Sequence, residues 1–290
     1  MSLLGEHLAT GTTTVCTCWE VRRRDGVVQG FTDHDHDLAF GGCVFLAGSG
    51  LTARSLDQTT GLAVDNAEAV GALSDASITE EDVMAGRFDG AEVVAWQVNW
   101  AAPDARDVLF RGTLGEIRRT GGAFEAELRG LAEGLNQPVG RVYQGVCPAL
   151  LGDASCRVDV GRAAYSLEAT VLEADDGRVL RVAAPGYPPR WFERGRVDVL
   201  DGAAAGLTGW IKSDEITGGA RRLELWQSLR AGIAAGDTVR AIAGCDKRLA
   251  TCRTKFGNVA NFRGFPDIPG EDWVMVHPAR AGVLDGGSRR

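Results

Sequence analysis

The chain has 290 residues, a net charge of -8 and 44% hydrophobic residues, the profile of a globular protein with room for one large domain or two ordinary ones. No apolar run approaches the ~18 residues that span a membrane, and an acidic chain with only three lysines (Lys212, Lys247, Lys255) argues against general binding to nucleic-acid phosphates. The start, Met1 to His7, lacks a cationic segment followed by an apolar one. A secretory leader is therefore not expected, and the seven cysteines read as metal-binding or reactive thiols of a reducing compartment.

The pattern along the chain predicts a mainly β protein. A short helix is expected near Ser2 to Ala9. Thr12 to Arg22 alternates loosely, and Asp25-Gly26 turns it into Val27 to Phe31. A second short helix is expected near Glu80 to Ala85. Val94, Trp96, Val98 and Trp100 fall on every second position, which predicts one face of a strand. Val108 to Ile117, Thr120-Gly121-Gly122 and Phe124 to Arg129 read as a hairpin. In its second arm Phe124, Ala126 and Leu128 alternate with Glu125, Glu127 and Arg129, which predicts a sheet with one wet face. A connector helix is expected near Leu131 to Asn136, stopped by Gln137-Pro138-Val139-Gly140.

That stop divides the chain into a β-domain over 1–140 and a cysteine-bearing domain over 141–280, followed by a polar tail over 281–290. In the second domain Tyr165 to Glu173, Asp175-Asp176-Gly177 and Val179 to Ala183 predict a hairpin. Further strands are expected near Arg196 to Leu200, Gly209 to Asp214, Arg222 to Trp226 and Thr238 to Ala243, together a small β-barrel.

Two cysteine pairs flank that barrel. Cys147 and Cys156 have eight residues between them, Cys245 and Cys252 six, and about ninety residues separate the pairs. Should the barrel return on itself, four thiolates meet, which makes a metal or iron–sulfur site. The second pair is predicted on one side of a short helix, two turns apart. The first is predicted on a bent one, with Pro148 in its first turn and Gly152 loosening it. Ordinary buried cysteines and a zinc-stabilised binding module are the competing readings. Both spacings are wider than a zinc knuckle uses and are compatible with a cluster whose four irons each take one thiolate, a [4Fe-4S] group. Lys247, Arg248, Arg253 and Lys255 could offset its negative charge. Cys16 and Cys18, two apart on a strand, read as core residues, and Cys43 has no assigned role.

Asp33-His34-Asp35-His36-Asp37 is the other candidate. His34 and His36 with three carboxylates could form a metal site, as in a metal-dependent hydrolase. The favoured reading is a polar turn whose aspartates accept from backbone N–H groups. There is no G-x-S-x-G, Walker A, H-E-x-x-H or Rossmann fingerprint, so no catalytic residues are assigned and the chain is not expected to be an enzyme.

Three stretches carry a resemblance: R-R-D-G-V-V-Q-G-F-T-D-H-D-H-D-L (Arg23 to Leu38), F-D-G-A-E-V (Phe88 to Val93) with Asn99-Trp100, and G-C-D-K-R-L-A-T-C-R-T-K-F-G-N-V-A-N-F-R-G-F-P-D-I-P-G (Gly244 to Gly270). They resemble the phage-conserved tail hub family of siphophages and gene transfer agents, from about Leu8 to Gly270. The cysteine-rich half is also similar to the C-terminal region of the lambda-type minor tail protein L, an iron–sulfur protein. The resemblance implies a tail-tube-like N-terminal domain and a structural cluster on four cysteines that match Cys147, Cys156, Cys245 and Cys252. It implies a hub, a homotrimer or ring, between a distal tail protein and a tip or fibre protein, past which DNA slides without specific binding. Such a protein is assembled in the bacterial cytoplasm and ends in the particle's baseplate.

Overall fold

The computed structural model describes residues 2–48, 66–69, 78–120, 123–131, 135, 140–183 and 186–268. The chain divides into two compact units, Met1–Val139 and Gly140–Arg290. Most of the Leu131 to Asn136 segment, the Gly121-Gly122 turn, Gly270 and the 281–290 tail lie outside the described residues.

The first unit opens with helix α1 (Leu3–Leu8), whose N-cap Ser2 accepts from the Gly5 N–H. Strands β1 (Val15–Arg22) and β2 (Val28–Thr32) then form the expected hairpin. Gly26 takes φ +88° in its turn, a conformation that suits glycine. β3 (Leu38–Phe40), β4 (Cys43–Leu46) and β5 (Asn66–Ala69) are short strands that the sequence pattern did not announce. Helix α2 (Glu80–Met84), capped by Thr79, precedes β6 (Glu92–Asn99), β7 (Arg106–Thr120) and β8 (Ala123–Gly130). The sheet order is β3-β4-β2-β1-β6-β7-β8-β5, antiparallel except for β2 against β4.

The middle of this sheet is buried on both faces. Along β1, Cys16 and Cys18 pack with Leu38, Phe45 and Val98, while Trp19 and Val21 pack with Phe31, Phe88, Val93 and Phe110. Alternate residues of a strand point oppositely, so these are two cores on two faces. The one-wet-face expectation holds only toward β8, where Ala126 and Leu128 are buried and Glu127 pairs with Arg129 at 3.0 Å.

The single-face reading holds for Trp96 and Val98, which share one core, but not for Trp100. The pairing of β6 with β7 shifts register between Ala95 and Trp96, where Leu109 of β7 is the extra residue, so β6 keeps its own alternation. Val93 and Ala95 serve one core, Val98 and Trp96 the other. Trp100 lies beyond the strand, 40% exposed.

In the second unit, strands β9 (Ser166–Asp175), β10 (Val179–Val182), β11 (Arg196–Val199), β12 (Thr208–Thr217), β13 (Ala220–Leu225) and β14 (Thr238–Ile242) close into a barrel. Asp176 and Gly177 turn β9 into β10 with φ +48° and +59°, the paired positive angles of a tight hairpin turn. Among the described residues, thirteen buried ones fill the interior, Val171, Leu180, Ile211, Leu223 and Val239 among them. At roughly 1.5–3 kcal/mol for each fully buried large aliphatic, this core supports itself.

Candidate metal centre

The two cysteine segments leave the barrel together and meet beside it. β14 runs into Gly244 and Cys245, and the Gly244 N–H donates to the Trp191 carbonyl at 2.9 Å. A β-carbon on Gly244 would lie 1.6 Å from the Glu193 carbonyl oxygen, so only glycine permits this approach. On the other side, the Cys147 N–H donates to the Lys247 carbonyl at 2.9 Å and Lys247 Nζ to the Ala149 carbonyl at 2.5 Å. These bonds join residues about a hundred positions apart.

Neither segment is the helix the spacing predicted. Helix α3 (Leu249–Thr254) carries Cys252 but starts four residues after Cys245. Lys247 between them takes φ +66°, which no helix accommodates. Cys147 to Cys156 is a run of turns, with Gly152 at φ +86° and Arg157 at +61°. It is held by one carboxylate. Asp153 accepts from the N–H groups of Leu150 (2.8 Å), Ser155 (2.9 Å) and Cys156 (2.6 Å). Burial opposes its ionisation, but these three donors and Lys247 outweigh that and hold its carboxyl below the usual range.

Despite the irregular backbone, Cys147, Cys156, Cys245 and Cys252 all line one cleft of about 330 Å³, counted with its open mouth. All four are free thiols, Cys252 buried and the others half-buried. Burial pushes the Cys252 thiol up, and Cys245, Cys156 and Cys147 add to that by mutual repulsion. Burial raises Cys245 as well, against the pull of Lys247. Ionising Cys245 and Cys252 here is thus unfavourable unless a cationic centre neutralises them.

Among the described residues the cleft wall supplies no carboxylate or imidazole. Its polar members are Lys247, Arg248, Asn258 and Asn261, its apolar members Leu151, Val158, Phe256 and Phe262 among others. Four soft sulfurs in an apolar, cationic setting suit zinc or iron–sulfur and not calcium or magnesium. Among the described residues no three His, Cys, Asp or Glu side chains are placed to hold one metal ion together. A single tetrahedral zinc with Zn–S near 2.3 Å needs sulfurs about 3.8 Å apart, whereas a multinuclear cluster gives each thiolate its own iron and spreads them.

A half-buried cation stands behind the site. Lys255 Nζ donates to the carbonyls of Trp191 (2.5 Å) and Gly244 (2.8 Å) and lies 4.3 Å from the Trp191 ring centroid. Burial draws its pKa down to about 8. Arg253, one of the four basic residues expected to offset a cluster's charge, is exposed and does not line the cleft.

The Asp33 to Asp37 segment is a bend, as the capping reading expects. Asp33 accepts from the Thr17 N–H (2.6 Å), Asp37 from the Ala47 N–H (2.8 Å), and His34 Nδ1 from the His36 N–H (3.0 Å). His34 also packs on Trp100, ring centroids 5.0 Å apart. Cys16 and Cys18 sit in the core with Cys43 against them. The sequence reading missed Asn258, which the asparagine-rich run after Cys252 could have flagged.

The chain matches known proteins along most of its length. Residues 2–159 match a family model described as baseplate hub protein, N-terminal attachment domain. Residues 190–272 match one described as phage conserved hypothetical protein BR0599. No curated protein matches. A chain of a solved structure titled "Virion of native gene transfer agent (GTA) particle" is 54% identical, covers 99% of both chains and superposes with a TM-score of 0.92. The likeness to the lambda-type minor tail protein L stays an expectation resting on the four cysteines. With a hub model matched over more than half its length and a virion chain matched from end to end, the chain belongs to the baseplate hub protein family.

Proposed function

We propose that this protein is the hub at the distal end of a phage-type tail or gene transfer agent. In this role it joins the distal tail ring to the central tip or fibre protein, as a homotrimer, and lets DNA pass without binding it specifically. Residues 1–140 serve as the attachment domain. Residues 141–280 form a domain built around a [4Fe-4S] cluster ligated by Cys147, Cys156, Cys245 and Cys252. The virion chain that matches over 99% of both lengths supports the particle role.

The cluster reading rests on one observation above the others. Four cysteines from two distant segments share a cleft in a lobe with little core of its own. Among the described residues that lobe buries Val158, Ala243 and Phe256 as a cluster, with Leu151, Val160 and Tyr165 among the partly buried residues on it, against thirteen buried residues in the adjoining barrel. So small an apolar core needs a staple. When bound, the cluster supplies four iron–thiolate bonds that tie residues near 150 to residues near 250, and metal-site binding energy is folding energy. The chain's own part is to hold the sulfurs apart at fixed positions, to exclude water with Phe256 and Phe262, and to set Lys247, Arg248 and Lys255 against the cluster's negative charge.

Deletion of the gene tests the hub role. Tails without a tip, or no tails, are expected by electron microscopy. Particles that deliver DNA normally in its absence would rule the role out.

A further inference from the structure

Asn258 ties the two cysteine pairs to each other. Its backbone N–H donates to the Cys252 carbonyl at 3.0 Å, and its carbonyl accepts from Cys252 Sγ at 3.3 Å. Its side chain crosses to the other pair: Nδ2 donates to the Cys156 carbonyl at 2.6 Å and reaches Cys156 Sγ at 3.7 Å. The carbonyl of Cys156 can only accept, so the atom facing it must be the amide nitrogen. Asn261 holds the other end, with Nδ2 donating to Asn258 Oδ1 at 2.7 Å. Asn258 thus contacts Cys252 through its backbone and Cys156 through its side-chain amide, whose rotation Asn261 fixes. Asn258 and Asn261 both line the cleft.

We infer that Asn258 is a positioning and tuning residue for the iron–sulfur cluster, donating an N–H···S hydrogen bond to the Cys156 ligand. The inference rests on the cluster reading above. Hydrogen bonds to ligand sulfurs stabilise the more negative, reduced state and are one of the protein's means of setting cluster potential. The same bond orients the Cys156 side chain, and outer contacts of this kind govern retention of the metal site. A residue needed only to fill space would leave the potential unchanged.

The test uses the full chain purified without oxygen, as wild type, Asn258→Asp, Asn258→Ala and Asn261→Ala. Asn258→Asp keeps the size and an acceptor for Asn261 but replaces the donor facing sulfur with an anion. The expected result is a midpoint potential below wild type in both Asn258 variants, by ~59 mV for each tenfold loss of preference for the reduced state. A smaller shift of the same sign is expected in Asn261→Ala. Loss of visible absorbance in air should be roughly 10-fold faster or more in both Asn258 variants. Unchanged midpoints and bleaching rates in both Asn258 variants, with iron still bound, would overturn this inference and leave the cluster intact as a reading. Wild-type protein without iron or sulfide would overturn both.

Discussion

Arg221 and Asp214 are fully buried inside the barrel unit, and what they contact explains why a charged pair is tolerated there. Arg221 Nη1 meets both carboxylate oxygens at 2.5 Å, Nη2 donates to the Tyr187 carbonyl at 2.7 Å, and Asp214 accepts from the Phe192 N–H at 2.8 Å. The pair anchors the Tyr187 to Phe192 loop, whose Trp191 carbonyl then receives Lys255 behind the cysteines. Removing one member leaves an unpaired buried charge, a change that costs about 3–5 kcal/mol. Asp214→Ala should therefore lower stability by about that amount in denaturant unfolding, and a loss under about 1 kcal/mol would show the pair to be incidental. Gly244→Ala is expected to be severe for a different reason, the collision with the Glu193 carbonyl. It should reduce cluster content at unchanged barrel circular dichroism, and full iron loading would contradict it. Asp201 gives a pH signature. It accepts from the Thr238 N–H at 2.6 Å at the start of β14, and that bond, together with the Thr238 hydroxyl, lowers its pKa. A depressed carboxylate contributes stability that is complete above the ordinary value of about 3.9 and is lost as pH falls through the lower folded value. The Thr238 amide resonance should titrate with a midpoint below about 3.9, and a midpoint at or above that value would refute the bond.

Among the elements, barrel and cysteine lobe differ in what sustains them. The barrel core contains none of the four cysteines, while Cys156 and Cys245 pack on the small lobe cluster. Cys245→Ser should accordingly raise amide exchange in residues 141–165 and 244–268 while β9 to β14 and the first unit keep their protection. Limited proteolysis should cut the lobe first. Equal protection everywhere would remove the structural role of the cluster. The barrel was legible in the sequence because its strands are punctuated by turns with specific chemistry, such as Asp176-Gly177, and each turn needs backbone angles that few residues adopt. β3, β4 and β5 were not legible. They are three or four residues long and sit toward the sheet edges, too short for an alternation to register. The cysteine spacing pointed to a shared site but not to its backbone. Helical periodicity was assumed for Cys245 to Cys252, whereas the positive φ of Lys247 and three backbone bonds to Asp153 build the loops instead. Asn258 escaped notice because its role depends on a contact 102 residues away.

For the whole molecule, the net charge of -8 and the particle role are compatible. In the proposed role, such a charge would keep the chain from retaining the phosphate backbone of DNA moving past it. The hub reading and the cluster reading can fail separately, since the first rests on matched chains and the second on four sulfurs in one cleft. The most direct test of the central claim is the iron and acid-labile sulfide content of the full chain purified without oxygen, compared with Cys147→Ser, Cys156→Ser, Cys245→Ser and Cys252→Ser. The account predicts brown wild-type protein with about four irons and about four sulfides per chain, falling sharply in each of the four variants. Colourless protein with about one zinc per chain, or metal content indifferent to these cysteines, would contradict it.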